Sequence, residues 1–212
     1  FYAKVLGRHF DLALDVVSDI LQNPLFRPED VERQKSILFK EIDLVTDEPR
    51  FHQWILFQQT MFKKHPSRYP TYGSRETVQR TTARDIASYF HEHYFPRNMV
   101  LVIVGNVKNV RAKVQKAFTL THNCVPKKIS FSEDAPTSTR VMREKRAVAN
   151  TYLVLGHRTV SRTHKDSYIL DVIDAVLGRG QSGWMFDEIR NKHGLAYEVG
   201  TQHMSEQDYG YF

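Results

Sequence analysis

The chain has 212 residues, of which 41% are hydrophobic, and this is enough for one large domain or two small ones with a buried core. No stretch approaches the roughly 18 to 20 uninterrupted apolar residues that a membrane-spanning helix needs, so no membrane span is expected. The single cysteine, Cys124, excludes an internal disulfide framework. The net charge of +6 comes from basic residues scattered among Asp and Glu, whereas nucleic-acid binders usually cluster them on one face. Nucleic acid is therefore a disfavoured partner.

Helical periodicity dominates the first half of the chain. Pro28 suits the first turn of a helix, and Thr82 with Asp85 forms a capping-box-like start for another. The apolar run "MVLVIVGN", which begins at residue 99, is typical of a strand covered on both faces. The helices are predicted over residues 10–21, 28–45, 49–62, 82–95 and 107–118.

The second half begins with a change of composition. Residues 120–139 lose hydrophobic periodicity and fill with Ser, Thr, Pro and Lys, which predicts a linker. Beyond it the sequence predicts a strand at 146–158, a helix at 166–177, a short helix at 184–192 and a strand at 195–202. Helices and one strand before the linker, with strands and helices after it, indicate an α+β fold.

The second helix carries polar residues on a stripe that should be apolar. Val31, Gln34, Leu38, Glu41 and Val45 share one face, because they are spaced by three and four residues. A carboxylate that faces a core is costly unless it is paired, hydrogen-bonded or bound to a metal. Either Glu41 points inward for a functional reason, or the stripe drifts to the rim and leaves Glu41 half solvated or salt-bridged. A lone glutamate cannot hold a catalytic zinc, which takes about three protein ligands and a water.

The stretch "EIRNKHGLAYEVG" contains an arginine and a tyrosine seven residues apart. Gly194 ends the helix that carries Arg190, and Tyr197 lies on the predicted strand beyond it. One interpretation is a surface arginine followed by a tyrosine on the next strand. The other is that both side chains point at one substrate.

Three blocks of sequence, residues 13–50, 77–107 and 171–200, resemble successive blocks of the M16 zinc peptidases. They begin "ALDVVSDILQ", "TVQRTTARDI" and "DVIDAVLGRG", and they cover nearly the whole chain in order. That family includes the pitrilysins, insulysin and the mitochondrial processing peptidases. The resemblance implies an antiparallel sheet with helices packed on one face, in two related halves joined by a linker.

The same resemblance implies a division into domains. Residues 1–119 correspond to the C-terminal part of a first M16-like domain, and residues 140–212 to the N-terminal part of a second. The linker at 120–139 would join them.

The resemblance also assigns roles to single residues. In M16 enzymes an inverted motif, His-x-x-Glu-His, supplies two zinc ligands and the general base, and a glutamate on a later helix is the third ligand. Glu41 matches that glutamate, and Gln34 stands where a supporting acidic residue is usual, so this departure would weaken the site or indicate a non-catalytic one. The motif is expected upstream of residue 1, so this segment alone should neither hold a catalytic zinc nor hydrolyse a peptide. Arg190 and Tyr197 match the substrate-binding arginine and tyrosine of the family.

Two functions follow from the resemblance. The first is a segment of a zinc-dependent metalloendopeptidase that hydrolyses peptides or unfolded polypeptides through zinc-activated water. The second is a non-catalytic M16-like subunit that acts as a scaffold or a substrate-gripping partner. The partners implied are a peptide substrate and a second copy in a homodimer, or a paired M16 subunit. A soluble protein of the bacterial cytoplasm or periplasm is expected.

Overall fold

The computed structural model describes residues 1–122, 124, 131, 133–134 and 136–212, so part of the predicted linker at 120–139 lies outside the described residues. The α-helices are α1 (Phe10–Gln22), α2 (Pro28–Asp47), α3 (Pro49–Met61), α4 (Arg75–Arg80), α5 (Ala83–His93), α6 (Val110–Ala117) and α7 (Ser167–Gly178). A π-helix, whose backbone bonds join residues five apart, covers Phe186–Lys192. In the described ranges no helix is both long and apolar enough to cross a membrane.

A small antiparallel sheet accompanies the helices. Its strands are β1 (Arg158–Thr159), β2 (Met204–Ser205) and β3 (Gly210–Tyr211). β3 lies in the middle and pairs with both others, so that Tyr211 faces Arg158 on one side and Met204 on the other. The α+β class with an antiparallel sheet is therefore confirmed.

The described chain forms two compact units. Unit 1 comprises Phe1–Ile42 and Ser74–Lys128, and unit 2 comprises Asp43–Gly73 and Ile129–Phe212. These units group residues by spatial proximity and are not family domains, so the predicted domain limits at 119 and 140 stay a prediction.

Unit 1 is built around the packed faces of its helices. Gln22 joins two of them, because its Nε2 donates to the Ala117 carbonyl (2.9 Å) and its Oε1 accepts from the Thr119 N–H (2.7 Å). Carbonyl groups at the end of a helix lack partners within it, and Gln22 satisfies one of them at the end of α6. The buried apolar side chains of the unit are Leu14, Leu21, Val31, Ile42, Val78, Phe90 and Phe95.

Unit 2 has an aromatic core between α3 and the sheet. Phe57 and Phe62 pack against Tyr211 of β3, and the rings of Phe57 and Tyr211 meet edge to face with centroids 5.3 Å apart. Such pairs prefer this geometry because the positive edge of one ring meets the negative face of the other. Met204 of β2 packs against the same core, which therefore joins α3 to two strands of the sheet.

The predicted strands at 99–104 and 195–202 are wrong for the described chain, and that at 146–158 is reduced to its last residue, Arg158 of β1. A strand is stable only when its backbone N–H and C=O groups are paired. Among the described residues no backbone hydrogen bond joins 100–104 to a neighbouring strand. Val100 and Val104 are accordingly 90% and 93% exposed, although the apolar run predicted burial on both faces.

Candidate functional site

The exposed face of α2 carries the two polar residues singled out by the sequence. Gln34 and Glu41 are exposed, whereas Val31 and Ile42 are buried. The residues of α2 that face inward are Val31, Lys35, Leu38 and Ile42, which are four, three and four residues apart. The Lys35 side chain is 11% exposed, and Gln34 is not part of this face. The interpretation that Glu41 points inward is therefore wrong for the described chain. With 3.6 residues per turn, the buried face of α2 passes through Ile42 and leaves Glu41 at the exposed edge of the predicted stripe. The role of Glu41 as a metal ligand stays a prediction.

Glu41 remains available to a ligand. Within the described ranges neither the Glu41 nor the Gln34 side chain has a hydrogen-bond or ion-pair partner. A carboxylate oxygen is an accepted zinc ligand, but a catalytic site needs about three protein ligands. No group of three or more His, Cys, Asp or Glu side chains that would hold a metal occurs among the described residues. These residues alone therefore do not fit a zinc ion, and a site built on Glu41 needs ligands from elsewhere.

Arg190 and Tyr197 lie together in unit 2. Gly194 adopts φ +61°, a left-handed conformation that glycine enters without strain, and its N–H donates to the Arg190 carbonyl (3.1 Å). The chain reverses there, and the Tyr197 ring centroid lies 4.4 Å from the Arg190 Cζ. The predicted helix end at Gly194 is thus confirmed, and the structure brings the two predicted site residues into contact.

A third residue of this site was missed by sequence reasoning. The Phe186 ring centroid lies 4.7 Å from the Arg190 Cζ, so the guanidinium contacts two aromatic rings. The signal available in the sequence was the spacing, since residues four apart on a helix are neighbours. We call Phe186, Arg190 and Tyr197 the aromatic–arginine stack.

The charges around the stack are already paired. Lys192 donates to Glu188 (2.6 Å) and lies 3.1 Å from Asp187, and these contacts raise the pKa of Lys192. Glu198, next to Tyr197, lies 3.7 Å from an Arg50 guanidinium nitrogen. Arg190 itself has no carboxylate partner in the part of the chain that the structure describes.

The stack therefore presents free hydrogen-bond donors. Arginine has five N–H groups along the edge of one plane, and among the described residues none of those of Arg190 is used in a side-chain hydrogen bond or an ion pair. Tyr197 is 81% exposed, and its hydroxyl has no partner among the described residues. Such an edge suits carbonyl or carboxylate oxygens, and a phenol is able to donate to an oxyanion.

Two models of known protein families match this chain. The model described as "Peptidase M16 inactive domain" matches residues 80–212, and that described as "Insulinase (Peptidase family M16)" matches residues 1–75. The chain belongs to the M16 peptidase family.

Curated relatives carry names of the same kind. An uncharacterized zinc protease of Bacillus subtilis is 28% identical over 210 residues, which are 99% of this chain and 51% of that protein. An uncharacterized zinc protease of Streptomyces coelicolor is 31% identical over 100% of this chain and 48% of its own length. The chain thus spans about half the length of these relatives.

Solved structures share the fold. A protease from Helicobacter pylori superposes with a TM-score of 0.85 at 23% identity, over 97% of this chain and 51% of that one. A peptidase M16 inactive domain from Pseudomonas fluorescens gives a TM-score of 0.74 at 17% identity, over 94% and 49% of the two chains. At these identities the comparison shows the fold alone.

Proposed function

We propose that this chain is part of a zinc-dependent metalloendopeptidase of the M16 type, which hydrolyses peptides or unfolded polypeptides. Family membership and the names of the relatives support the class of enzyme. The observation that carries the proposal is the contact between the half-buried Arg190 and the exposed Tyr197, since the side-chain donors of both have no partner among the described residues.

Each group has a role in this proposal. The guanidinium edge of Arg190 binds backbone carbonyl oxygens of the substrate. The Tyr197 hydroxyl donates to the oxyanion that forms when water attacks the peptide bond. Glu41 is the zinc ligand that this chain contributes, and the Gln34 amide supports it without adding charge. A bound zinc would lower the pKa of a water and polarise the scissile carbonyl.

The proposal includes a partner. Extended segments whose backbone has no strand partner among the described residues, such as 100–104, are able to pair with an added strand of another polypeptide. We propose that a second copy in a homodimer, or a paired M16 subunit, is the partner with which this chain binds the peptide.

Tyr197→Phe tests the function, because it removes one hydroxyl and keeps the ring of the stack. In the full-length protein, kcat for an unstructured peptide should fall by about 100-fold with KM little changed, since an oxyanion exists only near the transition state. Tyr168→Phe, which removes an equally exposed hydroxyl from α7, should leave both constants unchanged. A change confined to KM would reassign Tyr197 to ground-state binding, and a wild type without activity would remove the enzyme proposal.

The second candidate is a non-catalytic M16-like subunit, and Gln34 favours it. An uncharged amide at that position cannot raise the basicity of a ligand as a carboxylate does. The sequence upstream of Phe1 in the full-length protein decides between the two. A His-x-x-Glu-His motif there supports the peptidase, and its absence supports the subunit.

A further inference from the structure

Phe186 has no role in the proposed reaction, yet it covers one side of the residue that binds the substrate. Its ring centroid lies 4.7 Å from the Arg190 Cζ, close to the 4.4 Å on the Tyr197 side. A cation within about 6 Å of a ring centroid is attracted to the ring face. We propose that Phe186 is a positioning residue that holds the Arg190 guanidinium at the orientation in which it binds peptide carbonyl oxygens. This rests on the proposed function of Arg190.

The backbone explains why Phe186 is the residue that does this. Phe186–Lys192 is a π-helix, and the His193 N–H donates to the Glu188 carbonyl five residues back (3.2 Å). In such a helix residues four and five apart lie on the same side, so Phe186 is directly beside Arg190. Single turns of π-helix occur frequently at functional sites.

The charges explain why a ring holds the arginine and a carboxylate does not. The acidic side chains of the π-helix, Asp187 and Glu188, are bound to Lys192. An ion pair to Arg190 would occupy the same N–H edge that a substrate carbonyl needs. The two rings hold the guanidinium by cation–π attraction, which uses none of its N–H donors, so the stack orders Arg190 without competing with the peptide.

The ligand class follows from the open edge. A planar fork of donors fits oxygen acceptors that lie in its plane, such as successive backbone carbonyls or a C-terminal carboxylate. Binding of a fluorescein-labelled unstructured peptide to the full-length protein is therefore the first readout, because it does not require hydrolysis.

The test uses substitutions that separate the π-face from apolar bulk. Phe186→Leu keeps bulk but removes the ring, and it should raise the peptide Kd by about three- to fivefold. Phe186→Trp should restore the wild-type Kd, since Trp is the best partner for a cation. Phe51→Leu, an exposed phenylalanine of α3, should leave the Kd unchanged. Progressive fluorination of Phe186, which weakens the ring quadrupole at nearly constant size, should raise the Kd step by step.

A second readout follows Arg190 itself. Its Nε–Hε NMR signal should carry a ring-current shift that decreases in Phe186→Leu and returns in Phe186→Trp. An unchanged Kd in Phe186→Leu, or a Kd that does not respond to fluorination, would overturn the positioning role. Peptide binding that follows this pattern in a protein without hydrolytic activity would instead overturn the metallopeptidase proposal and leave the role of Phe186 intact.

Discussion

Glu133 shows how much one carboxylate contributes at the residue scale. It accepts hydrogen bonds from three consecutive backbone N–H groups, those of Lys63, Lys64 and His65, at 2.7, 2.6 and 2.9 Å. Partial burial acts to raise the pKa of Glu133, but these bonds to the charged form outweigh it and lower the pKa from 4.5 to about 2. The chain that follows α3 is therefore fixed by an ionised side chain distant in sequence.

Glu133→Gln should lower the free energy of unfolding by about 1–3 kcal/mol at pH 7, because an amide cannot satisfy all three N–H donors. A carboxylate whose pKa is lower in the folded protein stabilises the fold at pH values above its unfolded pKa. This stabilisation is lost as the pH falls through the folded pKa. The difference in free energy of unfolding between wild type and variant should therefore become smaller as the pH falls from 4.5 to about 2. Amide hydrogen exchange at Lys64 and His65 measures this locally.

Asp134→Asn is the matched control for Glu133→Gln, since it removes only the exposed ion pair of Asp134 with Lys64. Its effect on the same amides should be small. Equal effects of the two substitutions, or a difference for Glu133→Gln that does not vary with pH, would contradict the account of Glu133.

At this scale the sequence predicted that Arg190 and Tyr197 lie together, but it did not predict their surroundings. Arg190 and Tyr197 were paired by spacing and resemblance, and they do meet. Phe186 was missed although it stands four residues before Arg190, a spacing that makes two residues neighbours on a helix. The orientation of Glu41 was left between two interpretations, because a stripe of five residues does not determine which edge of it meets the core.

At the scale of elements, the helices were predicted more completely than the strands. The helix at α5 depends on its own residues, since Thr82 Oγ accepts from the Asp85 N–H (3.2 Å) and the Asp85 carboxylate accepts from the Thr82 N–H (2.8 Å). This reciprocal cap was read directly from the sequence. Strands depend on partners distant along the chain, so apolar runs such as 99–104 predicted an extended backbone without predicting its pairing.

Thr82→Ala should lower the stability of unit 1 by about 1 kcal/mol, because it removes the side-chain acceptor at the start of α5. Hydrogen exchange of the first-turn amides, Asp85 in particular, should become faster. Thr82→Ser keeps the hydroxyl and should exchange like the wild type. Equal exchange in all three proteins would show that the cap does not stabilise α5.

At the scale of the whole molecule, segment 100–104 exposes four apolar side chains, those of Val100, Leu101, Val102 and Val104, and its backbone has no strand partner among the described residues. Unpaired edges of this kind pair with other chains. The chain of residues 1–212 should therefore self-associate with increasing concentration in sedimentation velocity. Val102→Lys should weaken this, because a charge on an edge opposes pairing, whereas Leu12→Lys, at an exposed position of α1, should not. A monomer at all concentrations, or equal effects of the two lysines, would contradict strand pairing.

The zinc content of the full-length protein shows whether Glu41 is a metal ligand, and the proposed enzyme depends on that one carboxylate of this chain. Elemental analysis of purified wild type should give one zinc per M16 active site, and Glu41→Gln should lose most of it. Glu29→Gln removes the same charge from another exposed position of α2 and should keep the zinc. Full zinc occupancy in Glu41→Gln, or equal loss in both variants, would contradict Glu41 as the ligand and with it the metallopeptidase account.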